Sequence, residues 1–202
     1  VMTTGGTNGG NVYNNIDLYN PVTNNWSSGG VLSTTRQDHM AVLLPTGRQL
    51  IVGGRDLGGV QLQSTELVDA FSPSWSNLTA SSFSSNRSTS ASLPNGRILI
   101  AGGTAATTSA ALFNSTTNTS TLLGAMLSAH SNHSAVLLGS GRALVAGFTN
   151  SEVFDPAGST FSNNVALPAV RNFGKAAVRE DQQVLMVGGN NGTCYASTLL
   201  YE

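Results

Sequence analysis

Two histidines three residues apart are the first residues in this chain whose types and spacing could support chemistry. His130 and His133 carry imidazoles, which are common ligands of transition metals. A shared ion requires both rings on one side of the backbone, whereas residues i and i+3 of a β-strand point to opposite faces. We therefore expect no metal site and interpret both histidines as structural residues.

Other candidate chemistry is sparse. Gly5-Gly6-Thr7-Asn8-Gly9-Gly10 lacks the strand–GxxxxGK–helix context of a phosphate-binding loop. Cys194 is the only cysteine, so no internal disulfide can form. Charged residues make up 9% of the 202 residues and the net charge is −1, so we predict no basic surface that could bind nucleic acid. No apolar run approaches the roughly 18 residues that span a membrane.

An internal sequence repeat predicts the strands and loops in which these residues lie. The segment 47–54 (GRQLIVGG) recurs as 96–103 (GRILIAGG), as 141–148 (GRALVAGF) and, more weakly, as 182–189 (QQVLMVGG). The chain opens on the tail of a fifth copy, Thr4-Gly5-Gly6. The first glycines of the five endings are residues 5, 53, 102, 147 and 188, which gives steps of 41 to 49 residues. Phe148 replaces the second glycine of its copy, so we expect an altered backbone there.

Positions at fixed distances from each glycine pair also repeat. The position fourteen residues before it holds His39, Ser88, His133 and Gly174. The position seventeen residues before it holds Arg36, Ser85, His130 and Arg171. One position of the following apolar segment holds Asp17, Glu66 and Glu152. Because a catalytic acid pair should break a repeat rather than follow it, we interpret these side chains as structural.

The pattern resembles the kelch repeat: an Arg and a His before an apolar strand, Gly-Arg, a second apolar strand ending in Gly-Gly, a Glu-Leu-Tyr-Asp-Pro-like segment and a Trp. The resemblance covers essentially the whole chain and implies an all-β, kelch-type β-propeller of four-stranded antiparallel blades. Residues 1–202 are expected to form one partial propeller, with repeats at about 1–35, 36–84, 85–129, 130–170 and 171–202. In the second repeat we expect strands at 40–44, 49–52, 66–69 and 75–78, the first two buried on both faces.

The two ends of the chain contain the same part of the repeat, so together they do not complete a ring. Residues 184–202 match the phase of the first twenty residues, so four repeats are complete and a partial fifth overlaps the first. We expect the chain to be part of a larger ring or to have its ends completed by another chain, because open blade edges favour association.

Galactose and glyoxal oxidases, which are similar kelch-type propellers, carry a copper site made of a thioether-linked Cys–Tyr pair, a second Tyr and two His. Cys194 and Tyr195 are adjacent here, which does not suit that cross-link, and the histidines occupy repeat positions. We therefore expect no cofactor, no catalytic residue and a protein that is not an enzyme. A fragment of such a copper oxidase, or of another carbohydrate-active enzyme, is the alternative.

Topology predicts where a ligand would bind. In an antiparallel meander, the loop that precedes strand 1 and the loop that follows strand 2 lie at one end of the blade, here named the rim. The loops after strand 2 vary most in length, which is typical of functional loops. Resemblance to peptide-binding kelch propellers implies that arginines before strand 1 and just after Gly-Gly contact the ligand, although Arg36 and Arg171 could instead brace neighbouring blades. The candidate ligand-binding residues are Arg36, Arg55, Asp56, His130, Arg171 and Asn190.

We expect a binding or adhesion module that recognises a protein or a carbohydrate through the rim. A structural array that assembles through its open blade edges is a second alternative. Seven Asn-X-Ser/Thr sequons, where chance gives about four, favour an extracellular, secreted glycoprotein. The candidate glycosylation sites are Asn25, Asn77, Asn114 and Asn118 away from the rim, and Asn86, Asn132 and Asn191 on it. Because a glycan would shield a binding surface, we expect the rim sites to be the less modified.

Overall fold

The structure is a computed structural model, and it describes residues 1–69, 75–78, 86–103 and 107–201; for residues 75–78, 163 and 164 it describes the backbone. Apart from a 3-10 turn at Pro94–Gly96, the regular elements in these ranges are all β-strands, and they form five antiparallel sheets. The described residues contain no helix long and apolar enough to cross a membrane. The all-β prediction is confirmed.

Two compact units divide the chain, and the first, Val1–Asn86, contains two sheets. Sheet 1 has the order β1-β2-β3, with β1 at Met2–Thr7, β2 at Val12–Asn20 and β3 at Asn25–Val31. Sheet 2 has the order β4-β5-β6-β7, with β4 at Met40–Leu43, β5 at Arg48–Val52, β6 at Thr65–Asp69 and β7 at Trp75–Leu78. The four strands of sheet 2 therefore match those expected from the sequence to within one residue.

The second unit, Arg87–Glu202, contains three sheets. Sheet 3 is formed by β8 (Thr89–Ser92), β9 (Arg97–Ala101), β10 (Ala110–Asn114) and β11 (Thr119–Leu122). Sheet 4 is formed by β12 (Ser134–Leu137), β13 (Ala143–Asp155) and β14 (Thr160–Arg171). Sheet 5 is formed by β15 (Lys175–Val178), β16 (Val184–Val187) and β17 (Thr198–Tyr201).

The turns that join the outer strands are fixed by the side chain of the residue that begins each turn. Asn20 accepts a hydrogen bond from Val22 N at 2.9 Å, Asn114 accepts one from Thr116 N at 2.9 Å, and Asp155 accepts one from Ala157 N at 2.8 Å. Such Asx turns satisfy a backbone donor that the strand ladder leaves unpaired. They explain why Asn and Asp stand at this point of the repeat.

The second strand of the repeat is buried on both faces in β5, β9 and the first part of β13, as expected. The same expectation for the first strand was wrong, because Ala41 is exposed and Leu43 is 67% exposed in β4. Alternate residues of the first part of β13 pack into two different clusters: Ala143 and Val145 join apolar residues of sheet 3, and Leu144 and Ala146 join those of sheet 5. In the first unit, one cluster joins the two sheets in the same way through Ile16, Leu32, Ile51 and Val68. Apolar contact between successive sheets is therefore the main source of stability within each unit.

Within the second unit, the first strands of its sheets lie side by side. β12 has β8 on one side and β15 on the other. The backbone N–H of Ala135 donates to Thr89 Oγ1 at 3.1 Å, and the Ser134 hydroxyl donates to Gly174 O at 2.8 Å. This arrangement brings together the loops that precede the three strands, and those loops form the candidate site.

Candidate functional site

A fully buried ion pair holds the loop that leads into sheet 2. The Arg36 guanidinium donates to Gly53 O at 2.7 Å and to Glu66 Oε1 at 2.5 Å, and both side chains are 0% exposed. The other oxygen of Glu66 accepts a hydrogen bond from Ser33 N at 2.8 Å. Burial lowers the pKa of Arg36, and the charge of Glu66 opposes this shift. The pair thus ties the loop at residues 33–36 to strands β5 and β6.

His130 takes the same place before sheet 4. Its ring lies 3.2 Å from Gly147 O through Nδ1 and 2.7 Å from the Glu152 carboxylate through Nε2. Glu152 also accepts hydrogen bonds from Leu127 N at 2.8 Å and Ser128 N at 3.2 Å. Both ring nitrogens of His130 therefore reach an oxygen atom, one of the glycine carbonyl and one of the glutamate, as the guanidinium of Arg36 does in its repeat.

The bridge made by His130 also shows that β13 is not straight. Five residues of extended strand would separate Gly147 from Glu152 by about 17 Å. One imidazole contacts both, so the chain bends sharply between them. Phe148 lies in this bend with a φ of 60°, a left-handed conformation that glycine adopts at no steric cost. The altered backbone expected at Phe148 is therefore a strained turn.

Arg171 occupies the equivalent position before sheet 5 but contacts no carboxylate among the described residues. Its guanidinium donates to Gly188 O at 2.5 Å, to Ser197 O at 3.1 Å and to Ser197 Oγ at 2.7 Å, and it lies 4.9 Å from the centre of the Tyr195 ring. Leu199 stands where the other two repeats have glutamate. In those two repeats the glutamate accepts a hydrogen bond from a backbone N–H, that of Ser33 or Leu127. Pro168 takes this position before sheet 5 and has no N–H, so the carboxylate acceptor and its backbone donor are both absent there.

The six predicted ligand-binding residues therefore differ in accessibility. Arg36 and His130 are 0% exposed and Arg171 is 2% exposed, so these three brace loops from behind the surface. The other three belong to the loops themselves. Arg55 is 36% exposed and pairs with Asp38 at 2.8 Å, Asp56 accepts from Val60 N at 2.8 Å, and the backbone of Asn190 pairs with Asn172.

Close packing explains the repeated glycines and histidines. A Cβ at Gly54 would lie 2.6 Å from Gln37 O and 2.9 Å from the Cβ of His39, and a Cβ at Gly102 would collide with the ring of His133. Burial lowers the pKa of His133 to about 3, assisted by the charge of His130 and opposed by a hydrogen bond to the Ala101 backbone. Burial, with a smaller contribution from Arg36, lowers the pKa of His39 to about 4.

His130 and His133 do not lie on a β-strand, so the prediction that their side chains point to opposite faces was wrong. It assumed a strand, but both residues precede β12, and Asn132 between them has a φ of 48°. The two ring centres consequently lie 5.5 Å apart. Both nitrogens of His130 are already engaged by Gly147 and Glu152. Across the described residues, no group of three or more His, Cys, Asp or Glu could hold a metal ion.

A left-handed residue precedes the first strand of four successive sheets, which the sequence did not predict. The φ angles are 55° at Asp38, 57° at Arg87, 48° at Asn132 and 62° at Phe173. Asn and Asp tolerate this conformation, which offers a weak sequence signal at two of the positions. Arg and Phe offer no such signal.

In the second unit, three of these residues form one surface, here named the rim cluster: Arg87, Asn132 and Phe173. Phe173 N donates to Asn132 O at 2.7 Å, and the Arg87 guanidinium lies 6.0 Å from the centre of the Phe173 ring. The Phe173 side chain is 52% exposed. The Oδ1 atoms of Asn132 and Asn172 are buried without a hydrogen-bond partner among the described residues, so they do not belong to the exposed surface. The cluster thus offers an exposed aromatic ring beside a guanidinium.

The candidate glycosylation sites also differ in accessibility. Asn25 and Asn191 are exposed, Asn114, Asn118 and Asn132 are half-buried, and Asn86 is 7% exposed. The side chain of Asn77 lies outside the described part of the chain. An oligosaccharyl group needs a free amide nitrogen at the surface, so the folded chain presents Asn25 and Asn191 best.

Comparison with known proteins identifies the fold but no family. No protein-family model matches the chain, and no curated protein matches its sequence. A solved structure described as "Structure of YjhT" matches 98% of this chain and 77% of its own, with a TM-score of 0.78 and 13% sequence identity. The chain shares its fold with a propeller-like protein. Because 241 solved chains match, the fold alone does not select a function.

Proposed function

We propose that this chain is a kelch-type β-propeller module that binds a protein or carbohydrate ligand through its rim and does not catalyse a reaction. The observation that carries the proposal is the rim cluster, in which an aromatic ring that is 52% exposed lies beside a guanidinium. Aromatic residues and arginine are the side chains that contribute most to binding energy at interfaces. A solvent-exposed Phe173 contributes little to the stability of the unit itself.

The braces give this surface a fixed shape. His130 lies two residues before Asn132, and Arg171 lies two residues before Phe173, so each loop is anchored next to its rim residue. Binding to a surface that is already ordered avoids the entropy cost of fixing a loop. The buried basic residues therefore support recognition by position, and the rim residues make the contact.

The kelch assignment is supported by the way each repeated residue is used. The basic residue bonds the carbonyl of the first glycine in three repeats, and the histidine or its equivalent packs against the glycines. Residues that only share a pattern by chance would not share contacts in this way. The exposed sequon at Asn25 and the excess of sequons support the proposed extracellular location.

Array binding with matched variants tests the proposal. The purified chain is applied to a glycan microarray and to a peptide microarray, alongside Arg87→Ala and Phe173→Ala. Arg142→Ala and Trp26→Ala are the controls, because they remove an exposed arginine and an exposed aromatic ring outside the rim cluster. We expect at least tenfold weaker binding for the first two variants and unchanged binding for the controls.

Two results would overturn the proposal. Equal binding by all four variants would exclude the rim cluster as the binding surface. Copper bound in a one-to-one ratio, together with alcohol oxidation by the loaded chain, would favour the copper oxidase alternative.

A further inference from the structure

Two aliphatic side chains are exposed at the tip of the loop that follows β5. Leu57 and Val60 are each 63% exposed, and all residues from 57 to 61 are exposed. The loop folds back on itself, because the backbone of Arg55 pairs with that of Gln61. The tip therefore projects from the rim as a convex surface that carries two apolar side chains.

Hydrogen bonds hold this tip in one shape. Asp56 N donates to Val60 O at 3.1 Å, and Val60 N donates to the Asp56 carboxylate at 2.8 Å. At the base of the loop, the backbones of Gln37 and Arg55 exchange two hydrogen bonds, of 3.0 and 2.9 Å. Leu57 and Val60 are thus presented by an ordered turn, and binding through them avoids the entropy cost of ordering a loop.

The equivalent turn of sheet 1 shows that the fold does not require aliphatic residues here. Asn8 and Asp56 both lie three residues after the first glycine of their pairs. Asn8 N donates to Asn11 O at 3.3 Å, and Asn11 N donates to Asn8 Oδ1 at 3.3 Å, which is the same pair of bonds that Asp56 makes with Val60. The polar Asn11 therefore closes this turn as well as the apolar Val60 does. Because an exposed aliphatic side chain adds little to stability, contact with another molecule explains the residues of the tip better than packing does.

We propose that Leu57 and Val60 form a docking tip for a folded protein partner whose apolar pocket receives the two side chains, an inference that rests on the proposed function of the rim. A convex apolar tip requires a concave apolar surface, which a folded protein provides. Residues 37, 38 and 54–62 contain one arginine and two aspartates, a net charge of −1, which disfavours an anionic membrane or a nucleic acid. The same charge is complementary to a pocket bordered by lysine or arginine.

Binding of matched variants to folded domains tests the docking tip. The purified chain is applied to a microarray of folded extracellular domains, alongside Leu57→Asn and Val60→Asn, which make the tip as polar as the turn of sheet 1. Val22→Asn is the control, because Val22 is 91% exposed but lies in the turn between β2 and β3. We expect the two tip variants to bind the captured domain at least tenfold more weakly and the control to bind it as wild type does. All three unfolding midpoints should stay within about 2 °C of wild type, because the replaced side chains are exposed.

Asp56→Asn tests the charge of the partner separately. The substitution keeps a side-chain oxygen that can accept from Val60 N, and it removes one negative charge beside the tip. A pocket bordered by basic residues should bind this variant about threefold more weakly than wild type at about 50 mM salt and equally well at about 1 M salt. Equal binding at both salt concentrations would refute the basic border.

Each other outcome contradicts a definite part of the reasoning. Full binding by both tip variants, with binding lost in Phe173→Ala, would refute the docking tip and leave the proposed function standing. Flotation of wild type with phosphatidylserine vesicles, or a dimer in sedimentation that Val60→Asn dissociates, would replace the protein partner by a lipid surface or by a second copy. A midpoint lowered by more than about 5 °C would show that the tip stabilises the fold. Failure of wild type to bind any folded domain would refute the docking tip, and failure to bind peptides and glycans as well would refute both proposals.

Discussion

Mild acid should destabilise the second unit through the imidazole of His133, one of the two buried histidines described there. The ring is 7% exposed, and burial lowers its pKa to about 3, against about 6.5 in an unfolded chain. Below pH 6.5 the unfolded chain therefore takes up a proton that the folded chain does not. Stability is consequently lost as the pH falls from 6.5 towards 3, and the loss stops growing below the folded pKa.

The size of the effect follows from the pKa difference. Each pH unit below 6.5 costs about 1.4 kcal/mol per buried histidine, so the folded state loses about 2 kcal/mol between pH 6.5 and 5.0 through His133. This window lies above the range in which exposed carboxylates titrate, near pH 4. His39, whose pKa is lowered to about 4, should add a similar slope in the first unit over the same window.

Urea denaturation followed by circular dichroism at pH 7.5, 6.5, 5.8 and 5.0 measures this slope. His133→Gln should be less dependent on pH than wild type by about 2 kcal/mol across the window, whatever its stability at pH 7.5. Asp181→Asn serves as the control, because Asp181 is exposed in a surface pair with Arg179 and should leave the slope unchanged. Parallel profiles for wild type and His133→Gln would refute the reasoning, since they would mean that the folded chain takes up the proton as readily as the unfolded one.

Three other substitutions or modifications have definite expected outcomes. Glu66→Gln leaves the buried Arg36 guanidinium without its counter-charge and should lower the free energy of unfolding by about 3 kcal/mol or more in urea denaturation. Asp17→Asn, at the same repeat position but exposed, should change it by less than about 0.5 kcal/mol. Equal effects of the two substitutions would show that the Arg36–Glu66 pair does not stabilise the fold. Phe148→Gly should change the free energy of unfolding by less than about 1 kcal/mol, because removing the backbone strain at a φ of 60° offsets the loss of a half-buried ring. A loss of about 3 kcal/mol would show that the Phe148 ring is part of the hydrophobic core. When the chain is secreted from mammalian cells, mass spectrometry should find glycan at exposed Asn25 and none at Asn86, which is 7% exposed; a glycan at Asn86 would place that side chain at the surface.

The architecture was predictable because residues that make the same contacts recur at the same positions of each repeat. Glycine pairs mark where a strand ends against the next loop, and an almost continuous apolar run marks a strand that is buried on both faces. The strands of sheet 2 were consequently placed to within one residue. The repeated sequence pattern did not predict the bend within β13, where Gly147 and Glu152 both contact the ring of His130.

The accessibility of the rim residues was not predictable from position in the repeat. Arg36 and Arg55 both belong to rim loops, yet Arg36 is 0% exposed and Arg55 is 36% exposed. The difference depends on Glu66, thirty residues beyond Arg36, whose carboxylate makes burial of a guanidinium tolerable. The left-handed backbone at Arg87 and Phe173 was not predictable either, because neither residue type favours that conformation.

Comparison of the three braces shows which partner requires the basic residue. The carboxylate is present beside Arg36 and His130 but is replaced by Leu199 beside Arg171. The carbonyl of the first glycine is bonded in all three cases, by Arg36 to Gly53, by His130 to Gly147 and by Arg171 to Gly188. Each of these glycines has a positive φ, and such a turn directs its carbonyl away from the strand ladder. A buried carbonyl without a donor is costly, so the basic side chain is required by the backbone of the turn, and glutamate is an additional anchor for the preceding loop.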